Sequence, residues 1–222
     1  MSDFYNWWEG NLRYPFGSYE PLNETYSQAY QDIFVLSVLN GKKNGWYFEV
    51  GCGVPKYTNN TYCLAKHFNW NGISIDFQDY RSQWSEHRHN NIFVCSDAFA
   101  LDYQALLNNT KVVDYLQLDI EPSIKTYEIL KRLPTEPRYA VITFETDYYT
   151  GGSSLKVRDE SRAYFKSLGY ELIVPDVLVE FNGAIIPFED WYVDLNLVNK
   201  NIALSIQEMA KYTQDPKKLL FN

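Results

Sequence analysis

The stretch GWYFEVGCGVPKYTNNTY, residues 45–62, decides the fold class. It begins with a short apolar run, Trp46–Val50, which is typical of a buried strand. The glycine turn Gly51–Gly53 follows, and a helical pattern begins near Asn59. A strand, a glycine turn and a helix in this order open many nucleotide-binding sheets. Glu49, however, puts a carboxylate at the end of the strand, where it would repel a bound phosphate.

Short apolar segments alternate with helical patterns after this stretch. The predicted strands that follow Trp46–Val50 are Gly72–Phe77, Asn91–Cys95, Val113–Asp119 and Tyr139–Glu145. The predicted helices are Asn59–Phe68, Tyr80–Arg88, Tyr103–Leu107, Lys125–Leu133 and Arg158–Leu168. An earlier helix is predicted to open at a capping box, Thr25–Gln28, and to close at Asn40-Gly41. Strands that alternate with helices indicate βαβ units and a parallel sheet.

The alternation stops after Gly169. Tyr170–Val174 and Leu178–Ile186 read as two strands with no helix between them, and Asn182-Gly183 has the composition of a hairpin turn. The sequence therefore predicts an α/β protein with a Rossmann-like, doubly wound and mostly parallel sheet of about seven strands. The sheet is expected to finish in a C-terminal antiparallel hairpin.

Composition and charge exclude several functional classes. The chain has 222 residues and a formal net charge of −8, without a stripe of Lys and Arg, which disfavours a nucleic-acid partner. It has no run of about 18 apolar residues, so no membrane span is expected. The first residues lack the pattern of a signal peptide. Three cysteines without CxxC spacing favour a reducing compartment, so we expect a cytoplasmic protein.

Acidic residues stand at or just after the carboxyl ends of all five predicted parallel strands. They are Glu49, Asp76, Asp97, Asp119 and Glu145. Ligands of doubly wound sheets bind beyond these strand ends. The dinucleotide fingerprint needs a third glycine, which is absent here. The turn therefore suits a nucleoside without phosphates, and S-adenosylmethionine fits because it combines adenosine with an amino acid and a cationic sulfonium.

The predicted cofactor contacts follow from this fit. Gly51 and Gly53, with the small Cys52 between them, let the backbone approach the ligand closely. Asp76 is expected to accept hydrogen bonds from the ribose hydroxyls, and Asp97 from the adenine amino group. The cofactor is also expected to contact Glu49, Phe77, Ala98 and Asp119.

The order of these motifs resembles that of FkbM-type methyltransferases over roughly residues 26–195. The matching segments are SQAYQDIFVLSVL, FEVGCGVPKYTNNT, WNGISIDF, DYLQLDIEPSIKTYEIL, LGYELIV and PFEDWYV. The second segment includes the pair Asn60 and Thr61, which the resemblance adds to the cofactor contacts. Two positions depart from the family pattern: Pro122 stands where the family usually has glycine, and Asp76-Phe77 replaces Glu-Pro.

The resemblance implies a class I methyltransferase fold and O-methylation of a sugar, a glycan or another small hydroxyl compound. We expect a methyltransferase domain over residues 26–198, preceded by an arm over 1–25 that is rich in aromatic residues and followed by a tail over 199–222 with a helical pattern. A homo-oligomer is compatible with this organisation. Three alternatives stay open: an NAD(P)-dependent oxidoreductase, a non-catalytic binding protein on the same fold, and a nucleic-acid methyltransferase, which the charge disfavours.

A sugar hydroxyl is a poor nucleophile, so a general base is expected near the transferred methyl group. The first candidates are Asp119 and Glu145, and the second are Glu121 and Asp147. A cap or an ion pair with Arg158 or Arg162 is the structural alternative for Glu145. The same four acids could gather a hard divalent cation, although no metal ligand is favoured from sequence.

Two other segments carry weaker expectations. Phe188–Trp191 is interpreted either as a lining of the acceptor pocket or as a core anchor through Trp191. The segment His87–His89, which contains Arg88, is predicted to be a solvated connection from a helix to a strand.

Overall fold

A computed structural model of the chain describes residues 6–7, 11–16, 24–88 and 90–222. The strands are β1 (Asn6–Trp7), β2 (Glu24–Thr25), β3 (Trp46–Val50), β4 (Asn71–Asp76), β5 (Ile92–Cys95), β6 (Val112–Leu118), β7 (Arg138–Glu145), β8 (Glu171–Phe181) and β9 (Ala184–Val193). The helices are α1 (Gln31–Val38), α2 (Tyr62–Phe68), α3 (Arg81–His87), α4 (Tyr103–Leu106), α5 (Ser123–Leu130), α6 (Ser153–Ser167), α7 (Lys200–Ala210) and α8 (Pro216–Leu220). Short 3-10 turns cover Ala98–Ala100 and Tyr148–Thr150.

Seven strands form one sheet in the order β5-β4-β3-β6-β7-β9-β8. Strands β3 to β7 are parallel, whereas β9 runs antiparallel between β7 and β8. This arrangement confirms the predicted doubly wound sheet with its C-terminal hairpin, and it is the class I methyltransferase fold. The chain order reverses beside β3, which lies between β4 and β6, so the crevice for a ligand lies beyond the carboxyl end of β3.

Helices cover both faces of the sheet because successive strand residues point to opposite sides. Tyr47 belongs to one buried cluster, which holds side chains from α1, α2, α7 and α8. Its neighbour Phe48 belongs to the second cluster, which holds side chains from α4, α5 and α6. The C-terminal helices therefore pack on the same core as the rest of the domain.

The predicted start of the first helix is wrong. Thr25 lies in β2, and its hydroxyl, like that of Ser27 at 2.6 Å, donates to the buried Asp32 carboxylate instead of capping a helix. Helix α1 begins only at Gln31. Its predicted end is confirmed, because the N–H of Gly41 closes the last turn on the Leu36 carbonyl at 2.8 Å.

The hairpin turn at Asn182-Gly183 is confirmed, with positive φ angles of 50° and 77°. The predicted strand Leu178–Ile186 is wrong in extent, because the turn divides it between β8 and β9. Most of the N-terminal arm lies outside the described residues. In its described part, Phe16 is buried and its ring packs edge-on against Phe68 at 5.8 Å.

Among the described helices, none combines the length and the apolar composition that crossing a bilayer would require.

Candidate functional site

The glycine turn after β3 is wedged between two neighbouring strands. Gly51 has φ +81°, and a Cβ atom there would lie 1.6 Å from the carbonyl oxygen of Asp119. Its N–H donates to the Ile75 carbonyl at 2.9 Å, and that of Cys52 donates to the same oxygen at 3.1 Å. Only glycine fits this close approach, so the turn brings β3, β4 and β6 together at one edge of the sheet.

A cavity of about 600 Å³ opens beside this turn. Its lining comes from the ends of β3, β4, β5 and β6, from the segments that follow these strands, and from helix α5: Val50, Gly51, Ile75, Asp76, Phe77, Ser96, Asp97, Ala98, Phe99, Ile120, Glu121 and Lys125. Six of the residues predicted to contact a cofactor or to act in catalysis therefore line one space: Gly51, Asp76, Phe77, Asp97, Ala98 and Glu121. The volume is of the size that small-molecule sites usually have.

Backbone amides fix the two acids on the cavity rim. The Asp76 carboxylate accepts from the N–H of Gly53 at 2.9 Å and from that of Gln78 at 2.9 Å. The Asp97 carboxylate accepts from the N–H of Phe99 at 2.9 Å. Each carboxylate oxygen has a second lone pair, so both groups can still accept from a ligand. The Phe77 ring is 74% exposed, which leaves a large apolar face at the rim.

A second, much smaller cavity of about 20 Å³ lies on the other side of Gly51. Gln28, Gln31, Glu49, Cys52, Thr58, Asn60, Gln117, Asp119 and Phe188 complete its lining. Among the described residues, none forms a hydrogen bond with two buried oxygens of this lining, Asn60 Oδ1 and Gln117 Oε1. Gln117 was not among the predicted site residues, although a polar side chain within the apolar strand β6 is a usable signal.

Glu49 is buried at the inner end of this small cavity. Its carboxylate accepts from the Thr61 hydroxyl at 3.0 Å and from the Ser74 hydroxyl. Burial raises the pKa of Glu49, while the positive charge of Arg88 and the hydroxyl donors act in the opposite direction. Thr61 is fully buried behind the turn, where it supports Glu49 and lines neither cavity.

Arg88 is buried, so the prediction of a solvated segment is wrong at this position. His87 ends α3, and His89 lies outside the described residues. The guanidinium makes five hydrogen bonds, of 2.7 to 3.1 Å, to Tyr47, Pro55, Asn59, Thr61 and Asn91. Its contacts tie the segment after the glycine turn to β3 and to the loop before β5.

The acids that were candidates for a base gather at the ends of β6 and β7. Asp119 is partly buried, and burial together with the charges of Asp147, Glu121 and Asp76 raises its pKa to about 7. Carboxylate oxygens of Glu121, Glu145 and Asp147 lie within 4.8 Å of one another. Glu121 is exposed, whereas Glu145 and Asp147 are buried.

Asp147 has a left-handed backbone, with φ 50°, that turns its side chain back towards α5. One carboxylate oxygen accepts from the N–H of Ser123 at 3.0 Å, while the other is buried and has no hydrogen-bond partner within the described part of the chain. Burial raises the pKa of Asp147, and the Ser123 amide opposes this effect.

The arginines considered as partners of Glu145 are engaged elsewhere. Arg162 pairs with Asp190 at 2.7 Å and with Asp176 at 2.9 Å. Arg158 lies over the Tyr148 ring, 3.6 Å from its centroid.

Segment Phe188–Trp191 serves two purposes. Phe188 lines the small cavity. Trp191 is a core anchor that stacks on Phe34 at 4.4 Å and donates to Glu189 at 2.7 Å. Burial raises the pKa of Glu189 to about 8.

Comparisons with known proteins add to the description of the fold. No model of a known family matches the chain, and no curated protein matches it. The solved structure "Putative hemolysin from Streptococcus thermophilus" is 10% identical, with a TM-score of 0.52 over 86% of this chain and 73% of that chain. The precorrin-6y C5,15-methyltransferase of Geobacter metallireducens is 14% identical, with a TM-score of 0.47 over 73% and 86%. The N-methyltransferase NodS of Bradyrhizobium japonicum is 11% identical, with a TM-score of 0.45 over 73% and 92%. At these identities the likeness concerns the fold alone.

Proposed function

We propose that this chain is an S-adenosylmethionine-dependent O-methyltransferase that acts on a hydroxyl group of a sugar, a glycan or another small molecule. The observation that carries the proposal is the cavity of about 600 Å³ beside Gly51, at the strand-order reversal of a class I methyltransferase fold. Its acids come from the strand ends at which adenosine would be recognised.

The adenosine half of the cofactor fits this cavity. Asp76 would accept from the ribose hydroxyls, and Asp97 from the adenine amino group. Phe77 and Ala98 offer apolar surface to the purine ring. Among the described residues that line the cavity, Lys125 is the one cationic side chain, which suits a nucleoside better than a pyrophosphate. This charge balance favours S-adenosylmethionine over NAD(P).

The ammonium group of the cofactor's amino acid half would enter the small cavity on the other side of Gly51, which at about 20 Å³ has room for one group the size of a water molecule. Unpartnered buried oxygens cost roughly 1–3 kcal/mol each, and an ammonium group would satisfy Asn60 Oδ1 and Gln117 Oε1. The carboxylates of Glu49 and Asp119 would favour the ammonium and sulfonium charges.

Substitution Gln117→Met tests this orientation, since it removes one oxygen and keeps the side chain's length. We expect calorimetry to show S-adenosylmethionine binding weakened about tenfold, as one charge-assisted hydrogen bond is lost. Binding of 5′-methylthioadenosine, which lacks the amino acid carbons and their ammonium group, should be unchanged. Equal losses for both ligands would contradict the proposed orientation.

Methyl transfer requires the acceptor oxygen in line with the methyl group and the sulfonium sulfur. The cofactor supplies an activated methyl group, so the protein mainly orients the reactants. We assign Asp119 as the base, because it borders the small cavity beside the glycine turn and is held at the end of β6. Glu145 and Glu121 stay alternative bases. A deprotonated acceptor oxygen would then attack the methyl carbon.

Aromatic side chains near these acids support a sugar or glycan acceptor. Tyr149 and Phe181 are 37% and 47% exposed, and their ring centroids are 6.4 Å apart. Exposed rings beside convergent polar groups are typical of small-molecule sites. The resemblance to FkbM-type enzymes and a cytoplasmic location belong to the same proposal, as does a homo-oligomer.

The acceptor is best sought with methyl-labelled cofactor and a panel of saccharides, with O-methyl products identified by mass spectrometry. Asp119→Asn should lower turnover by at least about a hundredfold. Its effect on the affinity for S-adenosylmethionine should be much smaller. If turnover is retained, or if turnover and affinity fall together, Asp119 is not the base.

A further inference from the structure

We propose that Glu121, Glu145 and Asp147 bind one divalent cation of the hard type, Mg²⁺ or Mn²⁺, beyond the ends of β6 and β7, where Glu121 borders the cavity of about 600 Å³. Only the role of the ion rests on the proposed function.

The three ligands come from separate elements that meet at one edge of the sheet. Glu121 lies between β6 and α5, Glu145 ends β7, and Asp147 precedes the 3-10 turn. One oxygen from each lies within 4.8 Å of the others. Oxygen ligands at about 2.0–2.1 Å from Mg²⁺ are at most about 4.2 Å apart. At most one pair among three octahedral ligands lies opposite in this way, and the other pairs are about 2.9 Å apart. The three oxygens would therefore draw together by up to about 2 Å to share one ion, a movement that begins from the exposed Glu121 side chain.

Asp147 supplies an observation that is independent of the clustering. The residue is 3% exposed, and among the described residues no group forms a hydrogen bond of normal geometry with one of its buried oxygens, although the side chains of Glu121 and Tyr149 lie beside the carboxylate. The other oxygen is held by the Ser123 amide, so the carboxylate is fixed in orientation. A buried carboxylate oxygen is strongly destabilising unless a donor or a metal ion satisfies it. A cation between the three acids would satisfy this oxygen.

The negative charge of the cluster is not balanced by an ion pair with any described side chain. Among the described residues, no Lys, Arg or His nitrogen forms an ion pair with Glu121, Glu145 or Asp147. Glu121 instead lies against the Asp147 carboxyl group. Like-charged groups at this separation repel each other, and a divalent cation would replace that repulsion with attraction.

A bound cation has a defined task in the proposed reaction. It would coordinate the acceptor hydroxyl and lower the pKa of that hydroxyl. The hydroxyl proton passes to Asp119, and the acceptor oxygen forms a bond to the methyl carbon. The carbon–sulfur bond breaks, its electron pair stays on sulfur, and S-adenosylhomocysteine leaves as a neutral thioether.

Mn²⁺ binding to the protein without cofactor tests the site directly, because bound Mn²⁺ loses the electron paramagnetic resonance signal of the free ion. We expect one saturable site per chain in the wild type. Asp147→Asn and Glu145→Gln should each weaken binding at least about tenfold. The matched control is Glu128→Gln, which removes an exposed acid of α5 outside the cluster and should bind like the wild type.

Thermal unfolding separates ligand loss from misfolding. In chelator, Asp147→Asn should melt at the temperature of the wild type or above it, because it removes a like charge. Adding Mg²⁺ should raise the melting temperature of the wild type and of Glu128→Gln, but not that of Asp147→Asn. Absence of saturable Mn²⁺ binding to the wild type, or unchanged binding in both ligand variants, would overturn the inference. Titration of S-adenosylmethionine in chelator tests the proposed function independently of the ion.

Discussion

Arg88→Met is expected to destabilise the whole cofactor side of the fold. The substitution keeps a long side chain but removes the guanidinium, which lies buried in the middle of five hydrogen bonds. One of these bonds reaches Thr61 at 2.8 Å, and Thr61 in turn donates to the buried Glu49. Another reaches Asn59, whose amide holds the Cys52 carbonyl at 3.1 Å.

The magnitude follows from the buried oxygens that would lose their donor. A buried acceptor left unpaired costs about 1–3 kcal/mol, and we expect a net loss of about 3–5 kcal/mol after the hydroxyls among them turn to other partners. Glu49 also loses the nearby positive charge that lowers its pKa against the effect of burial. Each kcal/mol shifts the melting temperature of a domain of this size by about 2–4 °C. Arg88→Met should therefore melt about 6–20 °C below the wild type.

Arg81→Met is the matched control, because Arg81 begins the helix α3 that Arg88 follows. Arg81 is 66% exposed and pairs with the exposed Asp79 at 3.1 Å. A surface pair of this kind contributes little, so the control should stay within about 0.5 kcal/mol of the wild type. Both variants are compared by differential scanning calorimetry and urea unfolding. If Arg88→Met melts within about 2 °C of Arg81→Met, the Arg88 contacts do not stabilise the turn as argued.

Two further predictions concern the glycine turn and the loss of stability at acidic pH. Gly51→Ala should abolish cooperative thermal unfolding, because its Cβ would overlap a backbone oxygen. Gly53→Ala should lower the free energy of unfolding by only about 1–2 kcal/mol, because Gly53 has a positive φ but open space around it. Equal losses of stability in the two variants would contradict the close packing at Gly51. For Asp194, burial raises the pKa but the Asn196 amide and Arg138 together lower it below the ordinary 3.8, so its stabilisation is present above that pH and is lost as the pH falls further. Asp194→Asn should therefore cost about 1.5–3 kcal/mol in urea unfolding at pH 7 and approach the wild type in acid; a constant difference at all pH values would refute this.

The sheet was predictable because its signals are local. Trp46–Val50 reads as a strand from its own side chains, and Gly51 follows it as a turn. Parallel strands that alternate with helices leave few topologies, so the acids at the strand ends were expected to meet at one edge. Asp76 and Asp97 do line one cavity, as that reasoning requires.

The details that failed depend on contacts between distant parts of the chain. Thr25 has the local pattern of a helix cap, but a buried carboxylate seven residues later competes for its hydroxyl. Arg88 reads as a surface residue, yet its partners lie up to 41 residues away in the sequence. Neither outcome has a signal in the neighbouring residues.

The candidate site was predictable only in part. Glu121, Glu145 and Asp147 were noticed as acids at strand ends, but their separation depends on the left-handed backbone of Asp147. A positive φ at a non-glycine residue is uncommon, and composition does not reveal it. The sequence likewise does not indicate that the Gln117 side-chain oxygen is buried at the site, because this depends on the pairing of β3 with β6.

Calorimetric titration with S-adenosylmethionine and S-adenosylhomocysteine, with NADH as the control ligand, tests the central claim most directly. The account predicts one site of micromolar affinity for both adenosyl compounds and no binding of NADH. It also predicts that Asp76→Asn weakens that binding at least about tenfold, while the exposed neighbour Asp79→Asn leaves it unchanged. Absence of heat with both adenosyl compounds, or equal binding of NADH, would contradict the claim that this fold holds a methyl-transfer cofactor.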